Sequence, residues 1–180
     1  MFAWLNRKKK DDKEGAEICV PDDKTFVLMV CTANLSRSPM AEAMLRYEVQ
    51  DWDEIFVGSC GTKSVAGFSP TPEALTVLQT HGYPTDGLVT HCITPSLVTR
   101  ADYIFVMGPV HLQGIIQKFP KAADKTYLIR DFSEDEDERG QEIPDPHEKP
   151  LDVYLEVYEM FVKLIPRVAD FVIDGPTEEW

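Results

Sequence analysis

Two short stretches of this chain are apolar without interruption, Phe26-Val27-Leu28-Met29-Val30 and Tyr103-Ile104-Phe105-Val106-Met107. Runs of that length with no polar alternation predict strands covered on both faces, as in a parallel sheet. The first predicts a strand over about 25–31 and the second a strand over about 103–107. Weaker runs predict further strands near 55–59, 88–91 and 126–129. Between them the period changes to that of a helix. Met40, Ala43, Met44 and Tyr47 predict one apolar face on a helix over about 38–51. Thr71, Pro72, Glu73 and Gly82 punctuate a second helix, with Ala74, Leu75 and Leu78 as its stripe. Thr94-Pro95 opens a short helix ending near Arg100, and another covers about 110–118. From Pro150 a long amphipathic pattern (Tyr154, Val157, Tyr158, Phe161, Leu164, Ile165) continues to Val172, and Pro166 is expected to kink or divide it. Strands alternating with helices predict an α/β fold of three layers, a four-stranded, mostly parallel sheet flanked by helices.

The chain of 180 residues is long enough for one domain with a substantial core. Residues 1–23 are charged and close on Pro21-Asp22-Asp23, which predicts a flexible N-terminal arm, a single domain over 24–175 and a tail over 176–180. The formal net charge of −13 excludes general nucleic-acid binding. No apolar run approaches the ~18 residues that span a bilayer, so no stable membrane insertion is expected. The four cysteines, at 19, 31, 60 and 92, have no metal-ligand spacing and form no disulfide framework. A reducing, cytoplasmic location is expected, with no cofactor and no metal.

The candidate chemistry follows the first strand. Cys31-Thr32-Ala33-Asn34-Leu35-Ser36-Arg37 lies between that strand and the helix opened by Ser38, as N-cap, and Pro39. A loop between a strand end and a helix start makes an oxyanion cradle from its backbone N–H groups and the helix dipole. Cys31 at its start is placed to be a thiolate nucleophile, to which Ser38 can donate its hydroxyl. Arg37 at its end is placed to grip two oxygens of inorganic phosphate or a similar oxyanion. Thr32, Ala33, Asn34, Leu35, Ser36 and Ser38 are the expected lining. A phosphorus centre attacked this way also needs a proton donor for its leaving group. Residues 131–148 carry nine carboxylates and one arginine. Within them Asp145, between Pro144 and Pro146, is the candidate acid, a solvated surface carboxylate being the other reading.

Together Val30–Ala43, Ser59-Cys60-Gly61-Thr62, Ala101–Met107 and Asp145-Pro146 resemble the low-molecular-weight protein tyrosine phosphatase family, over about residues 25–172. The resemblance is greatest to its bacterial members, near the branch that includes protein-arginine phosphatases. It implies hydrolysis of phosphotyrosine-type monoesters on a phosphorylated protein through a phosphocysteine, with Cys31 as nucleophile, Arg37 as clamp and Asp145 as general acid/base. It also implies that Asn34, Ser38 and Ser59 hold the loop.

Three positions depart from the family. Ser36 stands where a second, protective cysteine is usual. Ala33 stands where glycine is frequent. His147 and Glu148 follow Pro146 where an aromatic usually lines the slot, which makes His147 a rim residue. Leu35 replaces the threonine of the arginine-specific branch, whereas Glu148 and the acidic loop suit a guanidinium leaving group. An arginine phosphatase is therefore the main alternative. Arsenate reductase, which needs a late cysteine relay that a lone Cys92 does not supply, and a non-catalytic phosphate-binding module are the others.

Overall fold

The computed structural model describes residues 18–175. The expected tail and most of the expected arm lie outside the described residues. Four parallel strands form one sheet in the order β2-β1-β3-β4. They are β1 (Thr25–Cys31), β2 (Ile55–Gly61), β3 (Tyr103–Val106) and β4 (Thr126–Leu128). Strand β1 is buried along nearly all its length, and its side chains divide by the two-residue period of a strand. Val27, Met29 and Cys31 enter one hydrophobic cluster. Phe26, Leu28 and Val30 enter the other. The first cluster is closed by α1 (Arg37–Glu48), α2 (Pro72–Thr80) and α5 (Leu151–Asp174). The second is closed by α3 (Pro95–Arg100) and α4 (Pro109–Lys118). This is the expected three-layer α/β fold. The strand order reverses at β1, so the carboxyl end of β1 faces the crevice where such sheets bind ligands.

Local differences from the sequence reading have physical causes. No strand forms over 88–91. Cys92 makes one isolated parallel bridge to Gly61, while Thr90 gives its backbone N–H to Phe68 and its hydroxyl to Val65. Pro166 does not break α5, which is one helix of 24 residues. Phe161, Leu164 and Ile165 before the proline, and Val168, Ala169, Phe171 and Val172 after it, all enter the same cluster. Packing on both sides thus outweighs the loss of one intrahelical hydrogen bond. Helix α1 is buried all round from Arg37 to Leu45 rather than along one stripe, and Tyr47 is 45% exposed, its ring set edge-on to Tyr83.

The stretch 18–23, expected as part of the arm, packs on the domain. Ile18 and Val20 cover the α3/α4-side cluster. Arg100 fastens the carbonyls of Pro21 at 2.7 Å and Lys24 at 2.6 Å. Short three-residue-per-turn helices at Ile129–Phe132 and Glu136–Glu138 interrupt the acidic segment. Among the described residues no helix is long and apolar enough to cross a membrane.

Candidate active site

The loop 31–37 turns from β1 into α1 at the carboxyl edge of the sheet. Asn34 makes the turn possible. Its φ of 58° lies in the left-handed region, which asparagine tolerates better than most residues, and its side chain is completely buried. The backbone N–H of Asn34 donates to Cys31 Sγ at 3.2 Å. Its Nδ2 donates to Ser38 Oγ at 2.9 Å and to Ser59 Oγ at 2.7 Å. Its Oδ1 accepts the His91 backbone N–H at 2.7 Å. Because a backbone N–H can only donate, the orientation of the Asn34 amide is settled. Both serine oxygens must accept from it. Ser38 then gives its proton to Cys31 Sγ at 3.0 Å.

Helix α1 starts at Arg37, one residue before the expected start, with no side-chain cap. Ser38 therefore does not act as the N-cap, and its hydroxyl serves the sulfur instead. Pro39 falls in the first turn, where its missing N–H costs nothing.

The loop is pinned from outside at almost every residue. The carbonyls of Cys31 and Thr32 accept the N–H groups of Thr62 at 3.0 Å and Lys63 at 2.8 Å. The carbonyl of Leu35 accepts the N–H of Thr71 at 2.9 Å. Ser36 Oγ lies 3.2 Å from Tyr154 Oη on α5, both buried. Gly61 is obligatory here, since a Cβ on it would lie 2.6 Å from the Thr32 carbonyl oxygen and 2.9 Å from the Ala33 carbonyl carbon. Ala33 and Leu35 are half-buried.

Arg37 is buried, and its guanidinium fork is directed to the loop that carries Asp145. Nη1 donates to the Ile143 carbonyl at 3.1 Å and Nη2 to Asp145 Oδ2 at 2.5 Å. Its Nε, also buried, has no protein partner. Ile143 explains why Asp145 arrives. Its side chain is fully buried, and its N–H donates to the Met107 carbonyl at the end of β3 at 2.8 Å. Gly108 makes room for this strap, because a Cβ there would meet Glu142 Cβ at 2.7 Å. Asp145 Oδ1 accepts the N–H of His147 at 3.2 Å. Pro146 is buried, and His147 and Glu148 are exposed.

Three participants were not legible in the sequence. His111, in the first turn of α4, is buried with Nε2 2.9 Å from Thr32 Oγ1 and Nδ1 unpartnered. Burial, and secondarily the charge of Arg37, pushes its pKa down to about 4, so the ring is neutral at pH 7. Its only signal was its place just past the second apolar strand. Glu42 is a buried carboxylate on α1. It accepts from Ser59 and pairs with Arg46. Tyr154 looked like one more member of the α5 stripe. Among the described residues no cluster of three or more His, Cys, Asp or Glu side chains is placed to hold a metal ion.

The structure thus joins Asp145 to Arg37, at the far end of the loop that Cys31 begins, and sets two donors on the Cys31 sulfur. A sulfur with two donors, a buried guanidinium and a carboxylate are the groups that a cysteine-dependent phosphoryl transfer requires. The family model described as low molecular weight phosphotyrosine protein phosphatase matches residues 26–171, and the chain belongs to that family. A probable low molecular weight protein-tyrosine-phosphatase, EpsP of Ralstonia nicotianae, is 31% identical over 146 residues, 79% of this chain and 94% of the relative. A protein-arginine-phosphatase of Geobacillus stearothermophilus is 30% identical over 144 residues, 80% and 93% of the two chains. Among solved structures, the YwlE arginine phosphatase of the same organism superposes with a TM-score of 0.75 at 26% identity, covering 86% of this chain and 99% of that one. The tyrosine phosphatase Wzb of Escherichia coli K30, solved in complex with sulphate, gives 0.73 at 26% identity, covering 82% and 97%.

Two outcomes are expected of this geometry. Gly61→Ala should displace the loop, costing about 1–3 kcal/mol in urea unfolding and most of the phosphatase turnover while the fold persists. Peroxide should inactivate the protein irreversibly. Ser36 offers no thiol, and Cys60 points to the opposite face of the sheet from Cys31. Cys92 donates to the Ser64 carbonyl at 3.0 Å. A Cys31 sulfenic acid therefore has no resolving thiol within its own loop. Activity measured after peroxide and then dithiothreitol checks this, and full recovery would refute it.

Proposed function

We propose that this chain is a phosphoprotein phosphatase acting on phosphotyrosine-type monoesters, with Cys31 as nucleophile, Arg37 as phosphate clamp and Asp145 as general acid and base. The observation that carries the reading is the convergence on one mouth. Cys31 Sγ accepts two hydrogen bonds, while Arg37, which closes the same loop, reaches Asp145 at 2.5 Å.

The Asn34 N–H and the Ser38 hydroxyl are placed to support negative charge on the sulfur as it attacks and as it leaves. The substrate phosphoryl group enters with its oxygens toward the loop amides and the unpartnered Nε of Arg37. That displaces the Asp145 carboxylate from Nη2 and leaves it over the leaving oxygen. Sulfur attacks phosphorus as the phosphorus–oxygen bond breaks, and Asp145, which takes up a proton from solvent once it has left the guanidinium, gives that proton to the departing oxygen. Asp145, now a carboxylate, takes a proton from water. The resulting hydroxide equivalent attacks phosphorus, the sulfur–phosphorus bond breaks, and inorganic phosphate leaves. Ser38, holding the sulfur throughout, steadies it as nucleophile and then as leaving group. Thr32, Ala33, Leu35 and Ser36 supply backbone to the cradle, and Pro146 and His147 brace the acid. The work is done by this chain's own side chains in a cytoplasmic setting.

A protein-arginine phosphatase is the second reading. It is supported by the likeness to the Geobacillus enzyme and by exposed Glu148 close in sequence to Asp145. Leu35, apolar and half-buried at the rim of the cradle, favours an aryl leaving group.

In an aryl phosphate assay Cys31→Ser should be inactive. Asp145→Asn should lose about 10²–10⁴-fold in kcat with a poor leaving group and much less with a good one. Equal loss for both leaving groups would remove Asp145 from the acid role. Matched phosphotyrosine and phosphoarginine peptides then decide the substrate, the expected order of kcat/KM being phosphotyrosine first.

A further inference from the structure

Helix α5 buries most of its apolar residues in the first cluster, yet one line of them stays outside. Leu151, Leu155 and Val162 are 41%, 38% and 39% exposed, and Pro166 is exposed beyond them. Their spacing keeps all four on one side of the helix, with Tyr158 between Leu155 and Val162 on the same line. The exposed His81 ring stacks on Tyr158, with 4.0 Å between ring centroids, and Tyr83 meets Tyr158 edge-on. The result is a narrow apolar strip of about four turns with aromatic rings at its middle. Single apolar side chains are ordinary on a surface, whereas a helical line of them is the pattern of a helix-pairing seam.

Charges run beside the strip in an order that specifies its partner. Along the chain they read Lys149, Asp152 and Glu156, then Lys163, Arg167 and Asp170. Turned end over end, this order meets itself with opposite signs. Lys149 falls against Asp170, Asp152 against Arg167 and Glu156 against Lys163, and the three pairs share one centre, between Glu159 and Met160. The apolar pairs Leu155–Val162 and Leu151–Pro166 are centred one residue earlier, at nearly the same level of the helix. Glu159, at the centre, makes the one like-charge meeting of this set. All six charged residues are exposed except Arg167, which is half-buried and also pairs with Glu134 at 3.1 Å.

We propose that this face of α5 is the interface of a homodimer, in which two copies of the helix pack antiparallel about a two-fold axis level with Glu159. A two-fold axis presents the same patch from both copies, and an antiparallel crossing is the one that sets Glu156 against the partner's Lys163. The apolar strip supplies the drive, and the charges set direction and register. The formal net charge of −13 on each copy opposes association, and a two-helix contact is small beside the ~1,600 Å² of a standard interface, so the dimer forms at micromolar concentrations and above. The first turn of α5 lies beside the cradle, where Tyr154 meets Ser36, so the antiparallel pair directs its two cradles to opposite ends.

The test is sedimentation velocity of the full chain over a concentration series from about 5 to about 500 µM, the range of a weak interface, with folding checked by circular dichroism. The wild type should pass from monomer to dimer as concentration rises. Leu155→Glu puts a charge in the strip and should weaken the dimer more than about tenfold with the fold intact. Glu156→Lys alone and Lys163→Glu alone should each weaken it about tenfold, two like-charge meetings replacing two attractive ones. An equimolar mixture of these two single variants should associate within about threefold of the wild type, because every pair is again of opposite sign, and the double variant with both changes should do the same. Recovery on mixing is a result that a loss of helix stability would not give. A wild type that stays monomeric throughout, a dimer indifferent to Leu155→Glu, or no recovery in the mixture would each overturn the proposal. The readout is mass alone, so it stands or falls apart from the phosphatase reading.

Discussion

One buried amide holds the site in its shape. Asn34 sits in a left-handed turn with its side chain sealed from water, and every polar atom of that side chain is used. The strain of the turn and the desolvation of the amide are offset by three side-chain hydrogen bonds at 2.7–2.9 Å, reaching β2, the segment before α3 and α1. Such a fully satisfied network is costly to disturb at any one point, because each loss leaves another buried group unpaired. The sulfur inherits that rigidity, since two of its donors, the Asn34 N–H and the Ser38 hydroxyl, are fixed by the same residue.

The acid reaches the site by a different route. Asp145 hangs on a segment that is mostly solvent-exposed, yet it is placed by Ile143 two residues earlier, an apolar plug with its N–H on the end of β3 and its carbonyl on Arg37. The parallel sheet makes this placement direct. The carboxyl ends of β1 and β3 are adjacent, so the last residue of one strand is the proposed nucleophile and the residue after the other anchors the strap of the proposed acid. Cys31 and Asp145, more than a hundred residues apart in sequence, are placed through two strand ends already held together by backbone hydrogen bonds.

Much of this was visible in the chain. The two uninterrupted apolar runs are the two central strands, and the Cys31-to-Arg37 spacing between a strand and Pro39 marked the cradle. Asp145 was marked less by its own chemistry than by flanking prolines and by its place before the long helix. What stayed hidden depends on how elements meet. A weak apolar pattern at 88–91 did not reveal that Thr90 would be claimed by the 65–68 loop. A proline in a helical pattern did not reveal that apolar packing on both sides would override it. Glu42 reads as a surface charge on an amphipathic helix, because nothing local says that α1 is enclosed on every side. His111 carries no motif and gains its place only when α4 packs its first turn beside Thr32.

The Ser36–Tyr154 contact joins residues 118 apart, and the Arg37–Ile143 contact joins residues 106 apart. The cysteine loop is therefore made early and its enclosure late. On a ribosome, the cysteine emerges long before the last helix that braces its loop can dock. Until then the loop is an unbraced turn, without the contacts that Tyr154 and Ile143 bring to Ser36 and Arg37. Synthesis and maturation of the site are separated in time by the length of the chain itself.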